Sequence, residues 1–550
     1  MREKYRKSIA SLNKFPQFTT MNVIDGQAGL ISYTSLIFYS LTIDNILNII
    51  VLLILAGITI ATLTGENGVL TQANDSKEKT EIAKETEMIN LAVISTIGTD
   101  GHKNLTVEKL QEELDQLEGK GNVEVSDVVD NFEVYFTKSK RYYEIDKDGN
   151  VGNYQIAGEI NYAGDITKGG TLDGSEQKPY EINCIEDLVA FSNIINRTGM
   201  KIENGVATEV SGKDYDNTLF SYVVLKRNLN FYSKFSYGNS ARTDFGDINE
   251  DDTDGNELFT EMTTGTGFRP IGEFNIKVFQ GIFNGQGYEI RNLYENTAGA
   301  AGLFGVISAN IKNLGITGNI TSIDNVAGGI TVRAGSSKIE NCYFKGEIKA
   351  ATAAGGIVGA GNGKANLIID KCYNLGNIIS DDSSGGIIGN AYPVYVTNCY
   401  NKGNIYGKYA GGILGYCNYT PTIYNSFNLG NIKATLSAGG IVGDIYSSIK
   451  IKNTYNVGQI ESPSYAGGIS GSALWNNPDT LIENSFYLEG TAIKGTNVVT
   501  DTTEVCSEEK LKSQEFVDGL NEYIDNNKED TEGWLKWRYL NSQYPVIYDK

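Results

Sequence analysis

The chain of 550 residues is poor in histidine, proline and positive charge, and each shortage argues against certain classes of structure or function. His102 is its single histidine, so the His-Glu-x-x-His motif of zinc proteases is absent. Only 8 prolines accompany 63 glycines that follow no collagen period, which is typical of a folded chain with tight turns. The formal net charge of −21 argues against nucleic acid and anionic lipid headgroups as partners. No P-loop, dinucleotide-binding or serine-nucleophile motif stands in a supporting context.

A sustained helical period is also missing, which excludes helical repeats, and a different repeat fills the second half of the chain. One unit reads Ala-Gly-Gly-Ile-Val-Gly at 354–359, and related versions recur around it. Aligned on one glycine, the copies fall at Gly302, Gly329, Gly356, Gly386, Gly412, Gly440 and Gly468, so the steps are 27, 27, 30, 26, 28 and 28 residues. A nearly fixed step of this size predicts a solenoid, in which each unit buries its apolar face against its neighbours.

The second half of each unit indicates which kind of solenoid is formed. It reads Val-Thr-Asn-Cys-Tyr-Asn-Lys-Gly-Asn-Ile at 396–405 and Ile-Tyr-Asn-Ser-Phe-Asn-Leu-Gly-Asn-Ile at 423–432. Short runs of β-branched and aromatic residues, bounded by glycine and asparagine, predict strands joined by tight turns. We therefore predict a mainly β chain whose central part is a right-handed parallel β-helix, from about residue 178 to about residue 500.

Equivalent residues of such a stack lie above one another at about 4.8 Å, so its columns can be read from the repeat. The predicted aromatic column is Tyr343, Tyr373, Tyr400, Phe427, Tyr455 and Phe486, and the aliphatic column is Ile348, Ile378, Ile405, Ile432 and Ile460. An asparagine ladder is expected at Asn341, Asn398, Asn425, Asn453 and Asn484, because asparagine tolerates left-handed backbone and can hydrogen-bond along the stack. A turn needing positive φ is expected at Gly346, Gly376, Gly403, Gly430 and Gly458.

Three cysteines fall in one further column. Cys342, Cys372 and Cys399 occupy the position that later units fill with Ser426, Thr454 and Ser485. Interchange with small polar residues indicates a small side chain at a tight inward position, and the other three cysteines show no paired spacing. The sequence therefore favours free, buried thiols over disulfides.

The repeated pair of phrases, Ala-Gly-Gly-Ile-Val-Gly followed by Asn-Cys-Tyr-Asn-x-Gly-Asn-Ile, resembles the GLUG repeat. That repeat occurs in bacterial surface proteins, including the non-catalytic part of some immunoglobulin A proteases. The resemblance covers about a third of the chain in several copies. It implies a secreted or surface-displayed solenoid with an adhesive or scaffolding role, and it carries no catalytic site.

The N-terminal part predicts a membrane anchor. Residues 1–45 form a basic and apolar leader, and 46–98 are expected to be a transmembrane helix that continues into an amphipathic one. The stretch Ile46–Leu63 is almost wholly apolar and about long enough to cross a bilayer, with basic residues before it. We therefore expect a single-pass cell-membrane protein whose C-terminal bulk is extracellular.

From Ile49 onward, this region looks like the type IV pilin-like N-terminus of Firmicutes, in which a peptidase cuts after a glycine just before the apolar run. Here Tyr39 stands near that position, and Asp44 and Asn45 interrupt the start of the span. A retained anchor is therefore the simpler interpretation.

The remaining domains follow along the chain. A small α+β module, pilin-like in character, is expected at 99–157, with a helix that Thr106 caps and strands at Phe132–Phe136 and Arg141–Asp146. A lead-in to the β-helix with a capping helix is expected at 158–300, the GLUG-like repeats at 301–500, and a C-terminal hydrophobic cap at 501–550. The tryptophans Trp534 and Trp537 fit this cap better than a sugar site, because a terminal repeat must hide its apolar face.

The function expected from the sequence is non-enzymatic. The solenoid would bind a host, cell-surface or matrix glycan or protein, through tyrosines on its connecting turns: Tyr392, Tyr406, Tyr409 and Tyr419. The alternative is a polysaccharide lyase or hydrolase, which needs clustered carboxylates on adjacent coils. Asp370, Asp381 and Asp382 fall in one repeat without a matching partner in the next.

One metal site is a candidate. The spacing of Asp247, Asn249 and Asp251, with Asp254 just beyond, matches the first ligands of a calcium loop, although Asp252 stands where a glycine is needed and no glutamate closes the loop. A solvated acidic loop is the other interpretation, so the sequence predicts either no cofactor or calcium at this loop.

Overall fold

A computed structural model of the chain describes residues 69–96, 105–128, 131–156, 175–196, 200–203, 206–209, 221–237, 262–272, 278–363, 366–473, 479–496 and 502–547. The chain divides into two compact units, Met1–Asn104 and Leu105–Lys550. In the first unit, helix α1 (Val69–Ser95) is described, and its buried residues, among them Ile89, Ala92 and Val93, recur on one helical face. A helix is therefore present in the part of the chain for which an amphipathic continuation of the span is predicted.

Among the described residues, no helix is both long and apolar enough to span a bilayer. The predicted transmembrane stretch Ile46–Leu63 and the leader before it lie outside those residues.

The second unit begins with the small α+β module. Helix α2 (Val107–Glu118) starts at the predicted cap, where the Thr106 hydroxyl accepts from the Lys109 amide at 3.3 Å. A four-stranded antiparallel sheet follows, formed by Val123–Val128, Asn131–Phe136, Arg141–Asp146 and Gln155–Ile156. The sheet packs on the start of the solenoid, where the Tyr142 and Phe235 rings stack at 5.0 Å and Arg227 donates to the Tyr142 hydroxyl at 2.7 Å.

The solenoid is made of two long sheets, in which the described strands pair with one another in parallel. One sheet has seven strands, one from each coil: Phe304–Ile307, Thr331–Ala334, Val358–Gly361, Ile388–Ala391, Leu414–Cys417, Val442–Ile445 and Ser470–Ala473. The other has 24 strands and folds around the remaining sides of the coil. The mainly β class and the parallel solenoid are confirmed, while the handedness of the coil stays a prediction.

The 24 strands follow one another along the chain. They are Tyr180–Ile182, Tyr222–Leu225, Leu229–Asn230, Ile282–Asn284, Glu289–Thr297, Asn310–Ser322, Ala327–Gly328, Ser337–Ala350, Ala353–Gly355, Leu367–Asp370, Tyr373–Asn374, Asn377–Ser380, Ser383–Gly385, Val394–Thr397, Tyr400–Asn401, Ile405–Gly411, Thr422–Tyr424, Phe427–Asn428, Ile432–Gly439, Lys450–Asn456, Ile460–Glu461, Tyr465–Gly467, Leu481–Leu488 and Glu504–Cys506. A separate hairpin joins Met200–Glu203 to Val206–Glu209, and a short 3-10 helix spans Lys234–Ser236.

The predicted columns are in register. Tyr373 pairs with Tyr400 and Tyr400 with Phe427, and their rings stack at 4.8 and 4.9 Å. The aliphatic column is buried along its whole length.

Glu295 lies before the aliphatic column, towards the N-terminal end of the stack. It pairs with Ile320 and is fully buried in the core. One oxygen of that carboxyl accepts from the Gly302 amide at 3.0 Å, and burial raises its pKa well above the usual range.

The asparagine ladder is also confirmed. All five predicted asparagines have φ between 46° and 57°, with Lys371 in the same conformation where the ladder lacks an asparagine. Along the stack, Asn425 donates to the Asn398 side-chain oxygen at 2.7 Å, and Asn453 donates to that of Asn425 at 2.8 Å. Each bend is therefore held both by its own backbone preference and by the coil next to it.

The prediction that these glycines need a positive φ is wrong for four of the five positions. Of the five glycines, Gly346 has a φ of 134°, whereas Gly376, Gly403, Gly430 and Gly458 are outside the left-handed region. A Cβ at Gly403 would instead overlap the carbonyl oxygen of Gly376 in the preceding coil. Glycine is required here because the backbones of successive coils approach too closely for any side chain.

The cysteine column is buried and its thiols are free. The Cys399 sulfur lies 3.4 Å from the Cys372 amide nitrogen and 3.1 Å from the Thr397 carbonyl oxygen. Burial raises the pKa of Cys372 well above the usual range, so the thiol form is retained. The prediction of free thiols is confirmed.

Helix α3 (Ile185–Ile195) lies at the N-terminal end of the stack, directly after its first strand, Tyr180–Ile182. Its buried face includes Leu188 and Phe191, and the Phe191 ring contacts Phe279 edge-on at 5.6 Å. A helix at this position covers the apolar interior where there is no preceding coil.

The C-terminal part does not simply close the far end, and this corrects the prediction of an end cap. The strand Glu504–Cys506 extends the last coil, and helices α4 (Glu508–Leu511) and α5 (Gln514–Asn526) follow. The chain then returns along the side of the solenoid and packs on the aromatic column. We call residues 531–547 the side strap.

The side strap reaches several coils. Trp537 lies 5.7 Å from the Phe427 ring and 5.5 Å from the Tyr455 ring. The Leu535 amide donates to Asn398 at 2.9 Å, and the Tyr455 hydroxyl donates to the Pro545 carbonyl at 2.5 Å. Trp534 and Trp537 are 7% and 3% exposed, so both tryptophans serve packing rather than ligand binding.

Candidate functional site

A row of outward amides runs along one side of the coils. It consists of Asn377, Asn404, Asn431 and Gln459, and each side-chain oxygen of the first three accepts from the backbone amide of the residue one coil further on. These distances are 3.3 Å for Asn404, 3.2 Å for Asn431 and 3.0 Å for Gln459. We call this side of the solenoid the amide face. Since the amides bond to the stack through their oxygens, the face presents a regular row of polar groups to solvent.

Tyr406 stands on the amide face, two residues after Asn404. Its backbone pairs with Ile379 in the preceding coil and Lys433 in the following one, and its side chain is 41% exposed. Together with the amides, these side chains line a shallow groove of about 470 Å³. An exposed aromatic ring beside ordered amides is an arrangement suited to binding, because the ring offers apolar area and the amides offer hydrogen bonds.

Two of the other predicted tyrosines form a pair at a different corner. Tyr392 and Tyr419 lie on the turns that follow the seven-stranded sheet, and their rings stack at 5.6 Å. Tyr419 also packs against the main hydrophobic core, and the Cys417 thiol lies 3.0 Å from its carbonyl oxygen. These side chains therefore take part in packing, and substitution of Tyr419 is expected to cost stability as well as surface area.

Tyr409 lies within the strand Ile405–Gly411, after the irregularity in pairing between Gly407 and Tyr409. Its ring is 5.0 Å from that of Tyr416, and the Lys408 ammonium lies 4.7 Å from the Tyr409 ring centre. Lys408 also pairs with Asp382 at 3.6 Å. Burial, reinforced by the charge of Asp444, raises the pKa of the Tyr416 hydroxyl. We call the surface between the column of Tyr409, with Ser383 and Ser437, and the column of Tyr416, with Asn390 and Asp444, the elbow groove.

The four predicted tyrosines therefore do not form one site. They occupy the amide face, the turn corner and the elbow groove, because neighbouring positions of a coil point to different sides. The amide row and Tyr416 were not predicted from the sequence. The amide row had a signal, since the Gly-Asn-Ile phrase repeats at a fixed place in each unit.

The carboxylates considered for the enzyme alternative are placed at different parts of the coil. Asp370 is at the asparagine bend, where it accepts from Asn398 at 2.7 Å and pairs with Lys371 at 3.2 Å. Asp382 is at the elbow groove, and Asp381 precedes it in the chain. Asp370 and Asp382 each face a lysine that neutralises part of their charge.

The candidate calcium ligands Asp247, Asn249, Asp251 and Asp254 lie outside the described residues. Within the described ranges, no group of three or more histidine, cysteine or acidic side chains is placed to hold a metal ion.

Comparison with known proteins gives partial similarities. No family model matches the chain. Halomucin from Haloquadratum walsbyi is 36% identical over 100 residues, which is 17% of this chain and 1% of halomucin, so the chain spans a very small part of that relative. A crystal structure of a candidate immunoglobulin A1 protease from Bacteroides ovatus aligns with 70% of this chain and 95% of its own, at 19% identity and a TM-score of 0.41.

Proposed function

We propose that the protein is a non-enzymatic surface protein whose solenoid is displayed outside the cell for adhesion or scaffolding. The observation that carries this proposal is the amide face. It combines a partly exposed tyrosine with a row of ordered amides on a rigid stack, and such groups recognise sugars or polypeptides through hydrogen bonds and ring contacts. The partner class is a host, cell-surface or matrix glycan or protein.

The distribution of covered and open sides supports the same proposal. The side strap covers part of the aromatic column, and α3 covers the N-terminal end of the stack. Tyr406 on the amide face remains 41% exposed. In a soluble fold, aromatic rings that remain at the surface on a rigid element are candidates for partner contacts.

The alternative, a polysaccharide lyase or hydrolase, is less well supported. Such chemistry needs two carboxyl groups, or a carboxyl group and a base, facing one another across the substrate. Asp370 is bound into the asparagine ladder, and Asp382 pairs with Lys408 at another corner. We therefore propose binding rather than catalysis.

The N-terminal part completes the proposal. We propose that Ile46–Leu63 anchors the protein in the cell membrane as a single span, with the solenoid on the extracellular side. The GLUG-like repeats and the pilin-like N-terminus remain resemblances of the sequence. The proposal names one candidate cofactor, calcium at the acidic segment 247–254.

Attachment by the full-length chain tests the amide face. Purified protein is screened against neutral glycans, acidic glycans and matrix proteins, and the strongest ligand is titrated against a Tyr406→Ser variant. We expect Tyr406→Ser to weaken binding while the melting temperature stays unchanged, because the side chain is partly exposed.

A matched control is Tyr465→Ser, since Tyr465 is 39% exposed but pairs with Ser437 in the column of Tyr409, not in that of Tyr406. Equal loss in both variants, or no loss in either, would contradict the assignment of the amide face. Turnover of a polysaccharide by the same protein would favour the enzyme alternative.

A further inference from the structure

The elbow groove contains one place where the repeat changes. In most coils the second residue of the strand in the seven-stranded sheet is glycine, as at Gly359, Gly389 and Gly415. In the second copy this position is Val332, and Arg333 comes next. Arg333 pairs with Val306 on one side and Ala360 on the other, so it is the charged member of an otherwise small and apolar stretch of that column.

A pocket forms at this point. It has a volume of about 570 Å³, and its lining includes Thr266, Arg269, Thr297, Asn325, Val332 and Arg333. Val332 and its neighbours Val326, Ala353 and Ala360 make a small buried apolar cluster beneath. The pocket is within the size range of sites for small ligands, with an apolar floor and polar groups around it.

The wall that carries Arg269 is held by the capping helix. The Ser192 hydroxyl donates to the Arg269 carbonyl at 2.7 Å, and the Asn196 amide donates to the Pro270 carbonyl at 2.8 Å. The Asn196 oxygen also accepts from the Gly272 amide at 2.8 Å. Ser192 and Asn196 are both buried, so α3 fixes the backbone of this wall. The pocket is therefore built on rigid elements from both sides.

The charge of the pocket is opposite to that of the chain. The protein carries 67 acidic and 46 basic residues, yet the charged side chains among the described residues that line the pocket are two arginines. Partial burial lowers the pKa of Arg333, but a guanidinium stays charged at any physiological pH. Its five N–H donors form a planar fork that allows it to hold a protein partner and a bound carboxylate together.

We propose that this pocket binds a carboxylate-bearing sugar residue of an acidic polysaccharide. The inference rests on the proposed adhesive function and names the ligand class for a second site, separate from the amide face. The two guanidinium groups recognise the carboxylate, the threonine hydroxyls recognise sugar hydroxyls, and the apolar floor packs against the ring. The rest of the polysaccharide runs along the elbow groove, past Asn390 towards Tyr416.

A glycan fits this groove better than an acidic peptide. An extended peptide binds a sheet by pairing with an unpaired strand edge. The strands along the groove have no such edge available in the middle of the stack, since Ile388–Ala391 pairs with Val358–Gly361 on one side and Leu414–Cys417 on the other. Recognition must therefore come from side chains, as it does for a polysaccharide.

Calorimetric titration of the full-length protein tests the proposal. The probes are a galacturonate tetramer, its methyl ester, and a tetramer of glutamate. We expect the galacturonate tetramer to bind. Its uncharged methyl ester should bind at least about tenfold more weakly, because a hydrogen bond to a charged acceptor is stronger than one to a neutral acceptor. The glutamate peptide should also bind at least about tenfold more weakly, because it has no sugar ring for the apolar floor and no ring hydroxyls for the threonines. Equal binding of the ester, or stronger binding of the peptide, would overturn the assignment to a carboxylate-bearing sugar.

Variants locate the site. Arg333→Ala and Arg269→Ala should each weaken tetramer binding about tenfold or more, and Arg333→Lys should restore only part of it, because lysine lacks the planar fork. Lys536→Ala, on the side strap, is the matched control for loss of one positive charge and should leave binding unchanged, because this lysine is exposed and lies in neither proposed site. Unchanged binding in Arg333→Ala, with the fold intact by circular dichroism, would refute the site.

The outcome can be separated from that of the proposed function. If the tetramer fails to bind while Tyr406→Ser still reduces attachment to another ligand, the pocket assignment fails and the adhesive function stands. If the tetramer binds while no attachment depends on Tyr406, the pocket assignment holds and the amide face is wrong.

Discussion

A second, inward ladder of asparagines makes a large and local effect on stability predictable. It consists of Asn374, Asn401, Asn428 and Asn456, all fully buried. Asn401 donates to Asn428 and to the Gly403 carbonyl, both at 2.7 Å. It accepts from Asn374 at 2.7 Å and from the Gly403 amide at 3.2 Å. One side chain thus joins three coils and closes its own turn.

The variant Asn401→Ala removes all four bonds. One N–H of Asn374 and the Gly403 N–H lose the acceptor that Asn401 supplied, while the Asn428 oxygen keeps the Gly430 amide at 3.2 Å. A buried donor left without its partner costs about 1–3 kcal/mol, so two of them give a loss of about 2–6 kcal/mol. The matched control is Asn404→Ala on the amide face, where the side chain is exposed and a cost below about 1 kcal/mol is expected.

Hydrogen exchange is the suitable assay, because coils of a solenoid open locally and a single melting temperature averages over them. Exchange of the amides in 373–430 should accelerate strongly in Asn401→Ala, and exchange near α3 should change little. If Asn401→Ala accelerates exchange no more than Asn404→Ala does, or if the effect is uniform along the stack, the reasoning about the inward ladder is refuted.

Three further predictions concern other parts of the chain. Trp537→Ala should cost about 3–5 kcal/mol and expose the side strap to proteases, whereas Lys536→Ala should not; equal proteolysis of both variants would count against the packing of the strap. Glu295 has a raised pKa, so the folded state holds a proton that the unfolded state releases, and stability should fall as the pH rises above about 4.5. Glu295→Gln should flatten that fall, measured as the melting temperature from pH 4 to 8, and an identical slope in both proteins would contradict it. Leu53→Asp combined with Ile54→Lys should release the protein from membranes, since each charge costs about 2.5–3.5 kcal/mol at the centre of a span. Unchanged fractionation would exclude Ile46–Leu63 as the anchor.

The repeated part of the fold could be predicted from the sequence because its contacts join equivalent residues one unit apart. Tyr400 stacks between Tyr373 and Phe427, and Asn425 bonds to Asn398, so the period itself identifies the partners. The same period could not reveal that Gly403 is needed for close backbone approach, since a turn with positive φ requires the same residue.

The side strap could not be predicted because its contacts have no counterpart in the period. Leu535 bonds to Asn398 and Tyr455 bonds to Pro545, at sequence separations of 137 and 90 residues. Tryptophans near a C-terminus indicate an apolar surface to be covered, but not which surface. From the sequence they were assigned to the open end, whereas in the structure they pack on the side of the aromatic column.

The candidate site was predictable only in part for a similar reason. Tyrosines on a rigid stack indicated recognition, and Tyr406 is on an open face. Whether Tyr392, Tyr409 and Tyr419 share that face depends on the direction of each residue around the coil. The break at Val332–Arg333 was visible in the sequence, but its meaning depends on Arg269, which α3 brings to it from a distant segment.

The side strap also fixes the number of coils between its two points of attachment. Repeat arrays change length readily when one unit is duplicated or deleted, because each unit contacts only its neighbours. Here Leu535 is bonded at Asn398 and Pro545 at Tyr455, so a continuous piece of chain is matched to a fixed distance along the stack. One extra unit between these coils would move Tyr455 about 4.8 Å from its partner while Asn398 stayed in place. The strap thus fixes the length of this part of the stack. Gain or loss of a unit here would break the contacts of the strap and lower stability, whereas the same change elsewhere in the array would leave those contacts intact.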